Sequence, residues 1–265
     1  YLKFLPESKE WGKLLPGTIP QQAFSNELFN LDFFLQKIVD ESKTVDHKAI
    51  NLYLSRLMEN IVYELEQSQC METDESGTLE PGIMGRIASY YYLKHQSVRL
   101  FHSKLKSDSS LEDLLDILTV IDYIFLSMFI VVIIKSTNQS TEEFAELPVR
   151  HNENQLNAEL AKKVPIKLDA NTMDSPNTKG NLLLQAYFSR VALPITDYYT
   201  DTKLVLDQAI RIVQAMIDAA GSEGWLATCL RLANVIQMLV QGLWVSDHPL
   251  LQLPGIEVHH LRHIQ

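Results

Sequence analysis

The stretch DTKLVLDQAIRIVQAMIDAA at residues 201–220, followed after Gly221-Ser222-Glu223-Gly224 by WLATCLRLANVIQMLVQGLW at residues 225–244, decides the fold. In the first half Lys203, Asp207, Arg211, Gln214 and Asp218 recur at steps of three and four. That spacing places them on one face of an α-helix. Leu204, Val205, Leu206, Ile210, Ile212, Val213, Met216 and Ile217 make up the rest of its surface. Such a helix is expected to be buried on most sides, with one narrow polar stripe exposed. The second half is apolar nearly all round, which marks it as the buried central helix. Gly221–Gly224 reads as the helix–helix turn. A GxxG phosphate clamp is disfavoured there by Glu223.

Outward from this pair the helical pattern continues. Ile87, Tyr91, Val98, Phe101 and Leu105 share one face, so residues 85–106 are expected as one long helix. Another begins near Leu111, after a Ser107–Ser110 turn with capping serines. Residues 141–164 read as a polar helix interrupted at Pro148, and residues 181–192 as a helix apolar on most sides. Leu54, Leu57, Met58, Ile61, Val62 and Leu65 mark a further helix, the second of two patterns between Asn30 and Gln69. Residues 1 to about 25, with Pro6, Pro16, Gly17 and Pro20, read as irregular. The acidic stretch from Cys70 to Gly82 is the expected domain boundary, which gives segments 1–80 and 81–265. No window after residue 80 alternates as a strand would. The expected class is mostly α, a helical bundle.

A length of 265 residues, 46% hydrophobic and 21% charged, suits a globular core. The formal charge of −10 excludes a strong independent nucleic-acid binder, because phosphates are held by clustered Lys and Arg. Cys70 and Cys229 are not a CxxC pair, so neither a disulfide scaffold nor a structural zinc site is expected. The chain opens at Tyr1 with no basic segment followed by an apolar one, so it reads as a fragment without a secretory signal.

No GxxxxGK[ST] phosphate loop, GxSxG elbow or HExxH zinc helix is present, and no catalytic residue is assigned. His259 and His263 stand at i,i+4 as a metal pair would, but histidines favouring a helix C-terminus explain them better. Leu111-Glu112-Asp113-Leu114-Leu115 fits an LxxLL docking motif, yet core packing produces the same string. On the 201–220 stripe, Lys203 and Arg211 lie two turns apart where each could hold a phosphate. Gln208 and Gln214 could bond sugar or base. Pattern alone favours a solvated face, with Lys203–Asp207 and Asp207–Arg211 pairing within the helix.

Several segments in order resemble one family. Gly85-Arg86-Ile87-Ala88-Ser89-Tyr90-Tyr91-Tyr92-Leu93, Leu147-Pro148-Val149-Arg150-His151-Asn152-Glu153, Asn181-Leu182-Leu183-Leu184-Gln185-Ala186, Asp201-Thr202-Lys203, Gln214-Ala215-Met216 and Gly224-Trp225-Leu226 carry it. They look like the domain shared by large Ski-type helicases and the Sec translocon J-protein. The resemblance implies a non-catalytic bundle that closes a ring over two motor domains, with residues 201–220 as a ratchet along the threaded strand. It raises Lys203 and Arg211 as nucleic-acid contacts, beside the pattern's own candidates Gln208 and Gln214, with Arg150 a weaker candidate. It also implies that residues 31–77 are the remnant of a winged-helix segment, and that the chain's end enters a helix–hairpin–helix unit.

The same resemblance places ATP and Mg in the parent's motor domains and no cofactor in this chain. The partners it implies are those motor domains, single-stranded DNA or RNA, and other subunits of a cointegrator complex. The implied setting is DNA alkylation repair or ribosome quality control, in nucleus and cytosol. Rival readings are a protein-interaction scaffold and a membrane-associated translocon component. One departure stands out: about twenty extra residues, near 120–141, include the apolar run Tyr123–Ile134. Twelve residues make about 18 Å of helix against a hydrocarbon core of about 30 Å, too short for a span. A gene-model error or an apolar loop is the expected explanation.

Overall fold

The apolar residues between Leu54 and Leu65 fold as α1 (His47–Gln67), which buries Ile61 and Leu65. The structure, a computed structural model, describes residues 47–74, 77–121, 153–256 and 258–262. It divides into two compact units after Ser103.

In the first unit α1 is followed by Gln69, whose left-handed backbone (φ 54°) lets Cys70 N donate back to the Leu65 carbonyl at 2.9 Å. The acidic stretch between the two expected segments forms a hairpin. Its strands β1 (Met71–Thr73) and β2 (Leu79–Pro81) pair antiparallel with Met71 opposite Pro81. Three-residue strands are too short to show alternation in sequence. The long helix expected over residues 85–106 is two helices, α2 (Ile83–Tyr90) and α3 (His95–Lys104). Leu93 is 1% exposed, and the chain turns to bury it: Tyr92 adopts φ 52° and Leu93 N donates to the Ala88 carbonyl at 2.8 Å. The apolar face runs through this break, so periodicity alone could not show it.

The second unit opens with α4, helical over residues 111–121. Ser110 caps it as the sequence suggested: Asp113 N donates to Ser110 Oγ at 3.1 Å, and Ser110 N donates to Asp113 Oδ2 at 3.0 Å. Leu114 and Leu115 are buried, so the LxxLL string is core. There follow α5 (Glu153–Ala161), a single turn at Ala170–Thr172 and α6 (Pro176–Phe188). Then come α7 (Thr196–Ser222), α8 (Leu226–Gln241), a turn at Pro249–Gln252 and α9 (Val258–Leu261). Gly224, at φ 75°, permits the sharp step between α7 and α8, where Trp225 N donates to the Ala220 carbonyl at 2.9 Å.

The central helix is α6, not the 225–244 stretch. Every residue from Thr178 to Ala186 is buried, and Leu182, Leu183 and Ala186 meet Leu160, Val164, Met173 and Tyr198 in one core cluster. α8 buries Leu232, Val235, Met238 and Leu239 but exposes Leu226 (70%), Leu230 (59%) and Val240 (66%). An apolar circumference says that a helix can be covered on any side. It does not say that it is. α6 was harder to see because its buried surface includes Lys179, Asn181 and Gln185, which read as polar until their partners are known.

Candidate nucleic-acid interface

The first thing that positions the outer face of α7 is a set of buried polar contacts on α6. Lys179, fully buried, donates to Glu153 Oε2 of α5 at 2.9 Å and lies 2.8 Å from Asp201 Oδ2 of α7. The second contact is held by charge rather than by a well-directed hydrogen bond. The ammonium also sits 4.9 Å from the centre of the Tyr198 ring. Tyr198 Oη donates to Asn157 Oδ1 at 2.6 Å, and Asn157 Nδ2 donates to the Met173 carbonyl at 2.9 Å. Buried charges are tolerated only when paired and hydrogen-bonded, so the start of α7 has little freedom to slide.

Further along α6, Asn181 Nδ2 donates to Asp116 Oδ1 of α4 at 2.6 Å, and Gln185 Nε2 donates to Asn181 Oδ1 at 2.9 Å. Burial pushes the Asp116 carboxyl above the usual carboxylate range, and the bond from Asn181 pulls the other way. The partners that join separate helices are not visible in sequence, because Lys179 and Glu153 lie 26 residues apart and Asn181 and Asp116 lie 65 apart.

α7 itself begins five residues before the expected Asp201 and runs two beyond Ala220. Its inner side buries Val205, Ala209, Ile212, Val213, Ala215, Met216, Ala219 and Ala220. On the outside Lys203, Asp207, Gln214 and Asp218 are exposed and Arg211 is half-buried, as the stripe predicted. The arc is wider than expected. Tyr199 is 56%, Leu204 41% and Ile210 37% exposed, and helical geometry spreads all of these residues over about 140°.

The expected intrahelical ion pairs are not formed: among the described residues neither Lys203 nor Asp207 makes one. Arg211 Nη2 donates instead to Gln208 Oε1 at 2.6 Å, which ties two of the candidate contacts to each other at the half-buried edge of the arc. Tyr199 was missed by sequence reading. Its signal was its place one turn before Lys203 on the same face. Arg150 and the run Tyr123–Ile134 lie outside the described residues.

Among the described residues no group of three or more His, Cys, Asp or Glu could hold a metal ion. The His259 and His260 ring centres lie 3.8 Å apart, and His263 is outside the described residues. Among the described residues no helix is long and apolar enough to cross a membrane.

A mostly helical bundle, built on one buried polar helix and presenting a long amphipathic helix beside it, defines an accessory helical domain. The chain belongs to the Sec63 Brl domain family, which it matches over residues 81–122 and 132–264. It is similar to activating signal cointegrator 1 complex subunit 3 of Homo sapiens, 44% identical over 92% of this chain and 10% of that protein. The protein of the same name in Dictyostelium discoideum is 41% identical over 92% of this chain and 10% of its own length. The DExH-box ATP-dependent RNA helicase DExH14 of Arabidopsis thaliana is 42% identical over 78% of this chain and 9% of its own length. The chain thus spans about a tenth of the length of these relatives.

Proposed function

We propose that this chain is the accessory helical domain of an ATP-dependent nucleic-acid helicase, with the outer face of α7 lining the path of a threaded strand. Family membership and helicase relatives support the class. The observation that carries the role is the arc of exposed Tyr199, Lys203 and Gln214 with half-buried Arg211, on a helix locked from within by Lys179. Lys203 and Arg211 are eight residues apart, or about 12 Å along the axis, which spaces them to meet two separate, non-adjacent phosphates of an extended strand. Tyr199 offers a stacking face one turn from Lys203. Asp207 and Asp218 on the same arc keep the grip weak, as a surface that must release the strand at every step requires.

ATP and Mg are assigned to the parent's motor domains, because this sequence has no phosphate loop. The implied partners are those motor domains, single-stranded DNA or RNA, and fellow complex subunits. DNA alkylation repair or ribosome quality control, in nucleus and cytosol, is the setting that the resemblance implies. The helix-then-hairpin order of α1, β1 and β2 fits the end of a winged-helix segment.

Lys203→Glu with Arg211→Glu in the full-length protein tests the reading. Unwinding lost with complex assembly intact supports it, and unwinding unchanged overturns it. A scaffold role is the second reading, favoured by exposed Leu226, Leu230 and Val240 on α8. Leu230→Glu would then disrupt complex assembly and leave the unwinding rate of the isolated protein unchanged.

A further inference from the structure

The turn between α2 and α3 presents two aromatic rings to solvent. Tyr90 is 76% and Tyr92 71% exposed, while Leu93 directly after them is 1% exposed and anchors the turn. Tyr92 holds a left-handed backbone at φ 52°, uncommon for a bulky residue. The backbone is fixed by Tyr91 N donating to the Ile87 carbonyl at 3.0 Å and Leu93 N to the Ala88 carbonyl at 2.8 Å. Tyr90 packs edge-on against Tyr91, with ring centres 4.9 Å apart. The rings are therefore displayed on a set turn, and a non-glycine residue is held in a backbone conformation that the surroundings must enforce.

The charge around them is one-sided. From Ile83 to Ser103 the chain has Arg86, Lys94 and Arg99 and not one Asp or Glu, in a protein of net charge −10. Arg86 is exposed one turn before Tyr90 on α2, and Arg99 is exposed on α3. Burial above all holds the His95 imidazole toward the neutral form; the charge and hydrogen bond of Glu64 oppose it, and Lys94 and Arg99 add smaller pushes in the same direction as burial. Burial likewise brings the Lys94 ammonium down to about 8. Glu64 of α1, the carboxylate that faces this helix, is engaged by His95 Nε2 at 3.3 Å.

We infer that Tyr90 and Tyr92, flanked by Arg86 and Arg99, form a second single-strand contact, on which unpaired bases stack while the guanidinium groups hold the adjoining phosphates. Stacking on exposed aromatics and a basic rim are the two components by which single strands are bound without sequence preference. A protein partner would bury the same rings, but a segment whose charged residues are all cations, with Glu64 of α1 engaged by His95, matches a polyanion better. The inference rests on the reading of this chain as strand-contacting, and it adds a site in the first unit.

The test uses the full-length protein and a fluorescein-labelled single-stranded oligonucleotide followed by anisotropy, with a 2-aminopurine base reporting stacking. Tyr90→Ala with Tyr92→Ala is expected to weaken binding about 5- to 100-fold and to relieve 2-aminopurine quenching. Tyr90→Phe with Tyr92→Phe, which keeps both rings, retains affinity and quenching. Arg86→Glu with Arg99→Glu weakens binding and leaves the melting midpoint unchanged; it also stands in should the alanine pair fail to fold. Affinity and quenching within about twofold of wild type in a folded alanine variant overturn the inference. So does loss of a complex subunit from that variant with oligonucleotide affinity unchanged, which would make the turn a protein-docking surface. The Lys203→Glu/Arg211→Glu protein run in parallel separates the two proposals. Silent tyrosine variants beside an unwinding-deficient α7 variant sink this one alone, and the reverse result sinks the ratchet alone.

Discussion

Lys179 Nζ stands 2.8 Å from Asp201 Oδ2, and this contact pins the first buried turn of α7 to the central helix α6. Glu153 Oε2, 2.9 Å from the same ammonium, adds α5 to the junction. All three side chains are nearly or wholly buried. Removing Lys179 leaves two buried carboxylates without their countercharge. Lys179→Met is therefore expected to destabilise the unit by about 3–5 kcal/mol. Adding Glu153→Gln and Asp201→Asn removes the orphaned charges and recovers most of that loss. Thermal melting of the single and triple variants checks the order. A single variant as stable as wild type would show that the ion cluster holds nothing.

The first unit has its own close approach. A Cβ on Gly85 would overlap the Cys70 carbonyl oxygen, and one on Gly82 would stand 2.5 Å from the Gln69 carbonyl oxygen. α2 therefore lies on the end of α1 and β1 with no room for a methyl group. Gly85→Ala is expected to cost about 1–3 kcal/mol by forcing backbone apart. Cys70 gives a second readout: it is fully buried, and burial pushes its thiol up to about 12. In the wild-type protein it resists a thiol reagent under mildly alkaline conditions, and in Gly85→Ala its labelling accelerates. Equal labelling rates would mean that the helix tolerates the methyl group.

How much of this was legible in advance follows from the kind of information each element needed. α7 and its polar stripe were readable because every residue in the pattern is local, and Ser110 signalled the start of α4 for the same reason. The break at Tyr92 was not readable, since the apolar face of α2 and α3 is continuous through it and only the burial of Leu93 demands the turn. Choosing α8 over α6 as the central helix failed on a related point. Hydrophobic count ranks α8 first, yet α6 is buried because Lys179, Asn181 and Gln185 find partners in α5, α7, α4 and the loop after α5. At the candidate interface the cationic candidates were read from spacing. The Arg211–Gln208 bond and the exposure of Tyr199 depend on rotamers and neighbours that spacing does not encode.

Asp113 and Asp116, three residues apart on α4, respond to pH with opposite signs. Asp113 is held below the usual range by the Ser110 hydroxyl and then by the Ser110 backbone N–H, both of which bond its charged form. Its contribution is present above the unfolded value and is lost as pH falls through the folded one. Asp116 is raised, chiefly by burial, so the folded state prefers it protonated. Its contribution is full below the unfolded value and is lost as pH rises through the folded one. Asp116→Asn is then expected to stabilise at neutral pH and to lose that advantage in acid, while Asp113→Asn destabilises at neutral pH. Urea midpoints at neutral and acid pH check both. A stabilising effect of Asp116→Asn that grows in acid would reverse the assigned sign.

Arg190 closes α6 in a left-handed conformation, φ 52°, that glycine would adopt without strain. The arginine side chain compensates through two hydrogen bonds. Its Nε donates to the Gly242 carbonyl at 3.3 Å and its Nη1 to the Leu251 carbonyl at 2.9 Å. It thereby ties the segment after α8 to the end of α6, beside an open groove of about 960 Å³ lined by Lys163, Trp244 and Ile256 among others. Relief of left-handed strain in Arg190→Gly is worth about 1–2 kcal/mol. The two hydrogen bonds lost are worth about 0.5–1.5 kcal/mol each. These nearly cancel, so the global melting point is expected to move little. Local protection does not cancel. With its two backbone acceptors released, the segment from Leu243 to Ile256 should open more often, and limited proteolysis there should rise several-fold. Arg190→Lys keeps the strain and loses the fork, because a single ammonium cannot reproduce two donors in a fixed geometry. It should therefore lower the melting point more than Arg190→Gly does. If glycine proves the more damaging of the two, either the left-handed backbone costs nothing at this position or lysine keeps the bonds, and the balance of strain against bonding is wrong.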